Sequence, residues 1–123
     1  MSYIEGFVIA VADSNKAAFI EHAETMDALF LEVGALRVVE CWEDEVSEGE
    51  VTDFRRAVNA TADESIVFSW IEWPSKEVRT QGYTDWEERS KTDERFAMSM
   101  DGMPFDGKRM IFGGFVPVVT HGV

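Results

Sequence analysis

The chain opens with an apolar, β-branched and aromatic run, Tyr3 to Ala12, closed by Asp13-Ser14-Asn15. That pattern predicts a buried strand followed by a helix cap. From Lys16 to Val33, the apolar residues Phe19, Ala23, Met26, Phe30 and Val33 recur at spacings of four, three, four and three. They line one face of a helix, and Gly34 supplies a left-handed stop. Leu36 to Trp42 reads as a second strand running into the acidic stretch Glu43 to Glu50, an exposed connection. Thr52 to Val58 fits either a short capped helix or an extended segment. Ser65 to Trp73 is a third strand, ended by Pro74-Ser75, which open a second helix through Ser90 with Val78, Gly82, Trp86 and Arg89 on its inner face. Lys91 to Gly107, where Phe96, Met98, Met100 and Met103 are scattered among acids, reads as a partly helical excursion. Lys108 to Val119 is the fourth strand.

The order is β-α-β-β-α-β, which predicts an α+β fold of the ferredoxin-like type, a four-stranded antiparallel sheet with both helices on one face. No repeat or Pro/Gly-rich linker divides the 123 residues, so residues 1–123 are expected to form a single domain.

Two helices cover one face of such a sheet, and alternation should then leave polar residues on the other. It does not. One alternate set is Ile4, Gly6, Val8, Ala10, Val39, Cys41, Val67, Ser69, Ile71, Met110, Phe112 and Val116. The opposite set is Glu5, Phe7, Ile9, Val38, Glu40, Trp42, Phe68, Trp70, Glu72, Arg109, Ile111 and Phe115. Both are apolar, and an uncovered aromatic face points to a second copy of the chain. The expected assembly is a homodimer whose two sheets pack into a dimeric α+β barrel.

Charge narrows the partners. Twenty-four acidic against 11 basic residues give a net charge of −13, which repels phosphate backbones and anionic lipids. Arg55-Arg56 and Lys108-Arg109 are too short to overcome it, so neither nucleic acid nor membrane is expected as a partner. The start lacks a signal-peptide pattern, no stretch is long and apolar enough to span a bilayer, and a cytoplasmic location is expected. The single Cys41 excludes an intramolecular disulfide and paired-cysteine zinc sites, and reads as a small buried hydrophobe. His22, between Glu21 and Glu24, reads as part of a solvated helix face. No metal and no cofactor are expected, since neither a phosphate-binding glycine loop nor a Ser-His-Asp order is visible.

Four segments, Gly34 to Trp42, Val51 to Val58, Val67 to Pro74 and Met103 to Ile111, resemble in order the YbaA-like family of uncharacterised bacterial proteins. The resemblance runs from Tyr3 to about Val118. It implies a dimeric α+β barrel of ferredoxin-like type and no established activity. Phe112 stands where relatives often have tyrosine, and Asp93 to Met100 departs from the usual wording.

The candidate chemistry comes from the face assignment. Glu5, Glu40, Glu72 and Arg109, together with Trp42 and Trp70, are expected on one face. They would form either an acid–base site in an aromatic pocket or an ion-pair network that fixes the dimer register. Three acids against one arginine leave an excess, so at least one carboxyl, Glu40 foremost, should have a raised pKa. Trp42, Trp70 and Trp73 would either line a pocket for a flat apolar ligand or serve as core and interface. Met103 to Gly107 reads as a tight turn, and Gly113-Gly114 as a bulge or a close backbone approach. Two functions fit: binding or transforming a small organic molecule, or a non-catalytic binding or stress-related role in which buried polar groups only specify the dimer.

Overall fold

In the computed structural model, residues 2–96 and 103–122 are described. The elements are β1 (Tyr3–Ala12), α1 (Lys16–Glu32), β2 (Arg37–Trp42), the single turn α2 (Phe54–Ala57), β3 (Glu64–Trp73), α3 (Lys76–Ser90) and β4 (Ile111–Phe115). The strands lie in the order β2-β3-β1-β4, every pair antiparallel, which is the expected ferredoxin-like arrangement.

Local chemistry sets the boundaries. Gly34 ends α1 with a φ of +119°, a conformation that costs glycine nothing. Ser75 caps α3, its Oγ accepting from the Val78 N–H at 3.1 Å, and Asp53 caps α2 through the Arg56 N–H at 2.7 Å. That cap decides for a helix in a segment whose sequence fits two conformations. Asn15 precedes α1 but does not cap it with its side chain; its amide donates instead to the Pro104 carbonyl at 3.3 Å. The fourth strand is shorter than its apolar pattern, covering only Ile111–Phe115. Arg109 is drawn out of it by Glu64 and Asp106, and Pro117 has no N–H to extend the ladder. Of the expected excursion over 91–107, residues 94–96 are helical, whereas Met98 and Met100 lie outside the described residues.

The core lies between the sheet and the two long helices. Tyr3, Ile71 and Trp73 pack against Phe30 of α1, Val33 just beyond its end, and Val78, Tyr83 and Trp86 of α3. Ile9, Val11 and Val67 pack against Phe19 and Ala23 of α1. Both helices therefore cover the same face. Gly82 lets α3 approach: a Cβ there would sit 2.8 Å from the fully buried Trp73 ring and 3.0 Å from the Val33 carbonyl. Gly114 is a close approach rather than a bulge, because the Tyr3 side chain passes directly beneath it.

The pairing register corrects the face assignment. Glu5 lies opposite Ile71, Phe7 opposite Ser69 and Phe112, and Glu40 opposite Ser69. Cross-strand partners share a face, so Glu5, Phe7, Ile9, Val38, Glu40 and Trp42 belong with Val67, Ser69 and Ile71 beneath the helices, while Phe112 points to the same side from the edge strand and stays exposed. Ile4, Val8, Val39 and Cys41 share the uncovered face with Phe68, Trp70, Glu72, Ile111 and Phe115. Alternation holds within each strand, but β3 and β4 pair with β1 and β2 one residue out of phase with the sequence expectation. Cys41 is consequently exposed rather than buried.

Candidate functional site

The six residues expected to form one pocket separate into three places. Trp70 and Glu72 are on the uncovered face, where the indole N–H donates to Glu72 Oε2 at 2.9 Å and Arg37 approaches the same oxygen at 3.9 Å. Arg109 lies before β4, in a bidentate pair with Glu64 at 2.8 and 2.7 Å and bonded to the Asn59 carbonyl at 2.9 Å. It pins the loop after α2 to the start of β3 and joins none of the three expected acids. Glu5, Glu40 and Trp42 are beneath the helices.

Glu5 is a satisfied structural carboxylate. It is 6% exposed, and Oε1 accepts from Trp73 Nε1 at 2.8 Å and from the Tyr83 hydroxyl at 3.0 Å. Arg79 stands 4.0 Å from Oε2 and covers the Tyr3 ring. Burial, and then Glu5 beside it, holds the Tyr83 phenol well above the usual tyrosine range. Trp73 is fully buried in this network, as core.

Glu40 is different. It projects from the middle of β2 toward α1, where its neighbours are the Asp27 carboxyl and the Ser69 hydroxyl. Glu40 Oε2 is buried with no donor on it. Two carboxyls in contact away from water cannot both ionise without repulsion, and a proton between them resolves it. Burial, then the Asp27 charge, pushes Glu40 up to about 8. Burial likewise raises Asp27, to about 6, against the opposing hydrogen bond from Glu40. The expected raised carboxyl pKa is thus found at Glu40, on the opposite face from the one assigned.

The pair lines a cavity of about 290 Å³ between α1 and the sheet. Its walls are largely apolar: Phe7 and Ile9 of β1, Phe30 of α1, Trp86 of α3 and Met110 before β4. Phe30 and Trp86 stack at 4.1 Å between ring centroids, closing one end. Phe105 closes another, edge-on to both Phe19 and His22. His22 is therefore a lining residue and not part of a solvated face, and the Met103-to-Gly107 turn contributes Met103 and Phe105 to the wall. Trp42 stacks obliquely on Phe19 under the Lys16 ammonium, near this cavity but outside its lining. Among the described residues, no three His, Cys, Asp or Glu side chains converge as a metal site.

Asp27 is hidden in the sequence by the apolar stripe of α1 that surrounds it. The signal was present: Asp27 follows Ala23 by four and precedes Phe30 by three, so it lies on the inward stripe. An acid at such a position needs a partner, and Glu40 supplies it.

The uncovered face carries a second, shallower hollow of about 800 Å³. Gly6 and Gly113 lie side by side in it, and Phe68, Trp70, Ile111 and Phe115 surround them. Phe115 is 61% exposed and Ile111 45%. The loop after α2 covers only one end of this face, where Val58 packs on Ala10 and Ile66.

Among solved structures, the fold is similar to a monooxygenase from the gene ActVA-Orf6 of Streptomyces coelicolor, in complex with the ligand Nanaomycin D. The TM-score is 0.58 at 12% identity, over 99% of this chain and 92% of that one. It is also similar to a dimeric ferredoxin-like protein from an uncultured marine organism, with a TM-score of 0.55 at 10% identity over 99% and 98% of the chains. At such identities these matches establish the fold alone. In sequence, the chain is 50% identical over 121 residues to the uncharacterized protein YbaA of Escherichia coli (strain K12), covering 98% of this chain and 100% of that protein. Residues 2–107 match the model of a protein family of unknown function, and the chain belongs to that family, DUF1428.

Proposed function

We propose that this protein holds a small, mostly apolar organic molecule in the cavity between α1 and the sheet, with the Asp27–Glu40 pair recognising a polar group on it. The observation that carries this reading is the carboxyl pair itself. A structural carboxylate in this fold looks like Glu5, met by donors from three side chains. Glu40 has a buried oxygen without a donor and faces an aromatic-walled space instead. A ligand hydroxyl would donate to that oxygen, and a ligand carbonyl would accept from the carboxyl when it carries its proton. The fold neighbour that holds Nanaomycin D supports an organic occupant by analogy of fold only.

The uncovered face is the proposed homodimer interface. Its aromatic centre, with Glu72, Arg37 and the Trp70 N–H beside it, has the composition of an interface core with polar groups. The dimeric ferredoxin-like neighbour is consistent with that assembly. The polar groups that would specify the dimer are these, and not Glu5, which is buried beneath the helices.

Native mass spectrometry of protein purified without added ligand tests both parts. The expected result is a dimer carrying a small molecule, with the Glu40→Gln protein remaining dimeric and losing it. A ligand-free protein that also fails to take up any apolar carbonyl or phenol probe would refute the binding site.

A further inference from the structure

We propose that the Asp27–Glu40 pair transfers protons on a small cyclic ketone, interconverting its keto and enol forms without a redox partner. This rests on the binding site proposed above and assigns it a reaction. The geometry supplies the argument. Asp27 from α1 and Glu40 from β2 both line the cavity, and Glu40 Oε2 is buried there without a partner, so a base and an acid stand on one wall. Ser69 on β3 hydrogen-bonds Glu40, and His22 is the other titratable group on the cavity wall. The rest of the wall is aromatic and aliphatic, suited to a carbocycle and hostile to an ionic substrate.

The step balances within the site. The Asp27 carboxylate takes a proton from the carbon next to the carbonyl. The C–H electron pair becomes a carbon–carbon double bond, and the carbonyl π pair moves onto oxygen, which takes the proton from the Glu40 carboxyl. The product is the enol, with Asp27 protonated and Glu40 ionised. Proton passage across their shared hydrogen bond restores the starting pair, and running the step backwards returns the ketone. The division of roles agrees with Asp27 being the more acidic member, so that it is the one ionised near neutrality while Glu40 keeps its proton.

The test uses 1-tetralone in D2O with the full-length protein, following loss of the α-CH2 signal by NMR and reading binding separately by saturation transfer. Wild-type protein is expected to bind and to accelerate exchange at the α-carbon. Asp27→Asn should keep the saturation-transfer signal and lose about 100-fold or more of the exchange rate, the usual scale of a general base, whereas Glu40→Gln, which removes the carboxyl that meets the carbonyl, should weaken both. Far-ultraviolet dichroism confirms that each variant is folded. Binding with exchange at the buffer rate, or exchange unaffected by either carboxyl substitution, overturns the proton-transfer reaction and leaves the binding site standing. A protein that carries a retained molecule in native mass spectrometry yet binds neither tetralone nor smaller cyclic ketones also overturns it. Failure to bind any probe overturns both readings.

Discussion

Replacing Glu40 by Gln should change stability in a way that reverses with pH. In the unfolded chain Glu40 ionises near 4.5, and in the folded protein near 8. Between those values the native state binds more protons than the unfolded state, so stability falls as pH rises. The contribution is complete below about pH 4.5, declines above it and is gone above about pH 8. The full shift, at ~1.4 kcal/mol per unit, would correspond to ~5 kcal/mol. Glu40 is only partly buried, and solvent screening reduces this to ~2 kcal/mol. Glutamine never ionises and keeps a donor for Asp27. The variant should therefore be more stable than wild type by ~2 kcal/mol at about pH 9, and level or less stable by up to ~1 kcal/mol at about pH 5, where the shared proton is lost. Urea unfolding followed by tryptophan fluorescence, at one fixed protein concentration and several pH values, measures the difference. A difference independent of pH would show that Glu40 ionises normally and refute the shared-proton pair.

Three further outcomes are expected. Gly82→Ala should destabilise the fold by ~2–3 kcal/mol, because the new methyl meets the Trp73 ring and the Val33 carbonyl at contact distances that force one to move; a neutral melt would contradict the packing of α3. Glu5→Ala should cost ~3 kcal/mol by leaving the Trp73 N–H and Tyr83 O–H buried without an acceptor, and thermal unfolding near neutrality reads it. Phe115→Glu, on the uncovered face, should give a folded monomer by sedimentation velocity; a dimer unchanged by it would place the interface elsewhere.

Much of the fold was legible because each element carries its own local signal. The ten-residue apolar run gives β1 its ends, the four-three spacing gives α1, and Pro74-Ser75 gives the start of α3. The site was less legible because it depends on how elements are joined. Alternation divides a strand into two faces but does not say which face of β3 meets which face of β1; pairing register decides that, and a one-residue slip exchanges every side chain. Where both faces are apolar, as with Phe68 and Trp70 on one side and Val67 and Ile71 on the other, hydrophobicity offers no choice between the two phases. Arg109 illustrates a second limit. Its place in an apolar run suggested a strand, but the carboxylates of Glu64 and Asp106 hold it outside one.

The contrast between Glu5 and Glu40 locates where the chemistry of this fold is decided. Both side chains leave the same face of the same sheet and both are removed from most solvent. What separates them is the helix each one meets. Glu5 meets α3, which brings Tyr83 and Arg79, and with Trp73 these turn it into a fixed acceptor. Glu40 meets α1, which brings Asp27, a second acceptor, so one of the two must carry a proton. A donor at position 27 would make Glu40 a second structural carboxylate. Asp27→Asn should do this in part: its amide can donate to Glu40, removing the like charge that helps to raise it. The Glu40 carboxyl should then ionise at lower pH, while burial keeps it above 4.5. Carbon-13 NMR titration of the glutamate carboxyls reads that value directly. A Glu40 titration unchanged by Asp27→Asn would mean that burial alone sets its protonation and that the two side chains do not act as a pair.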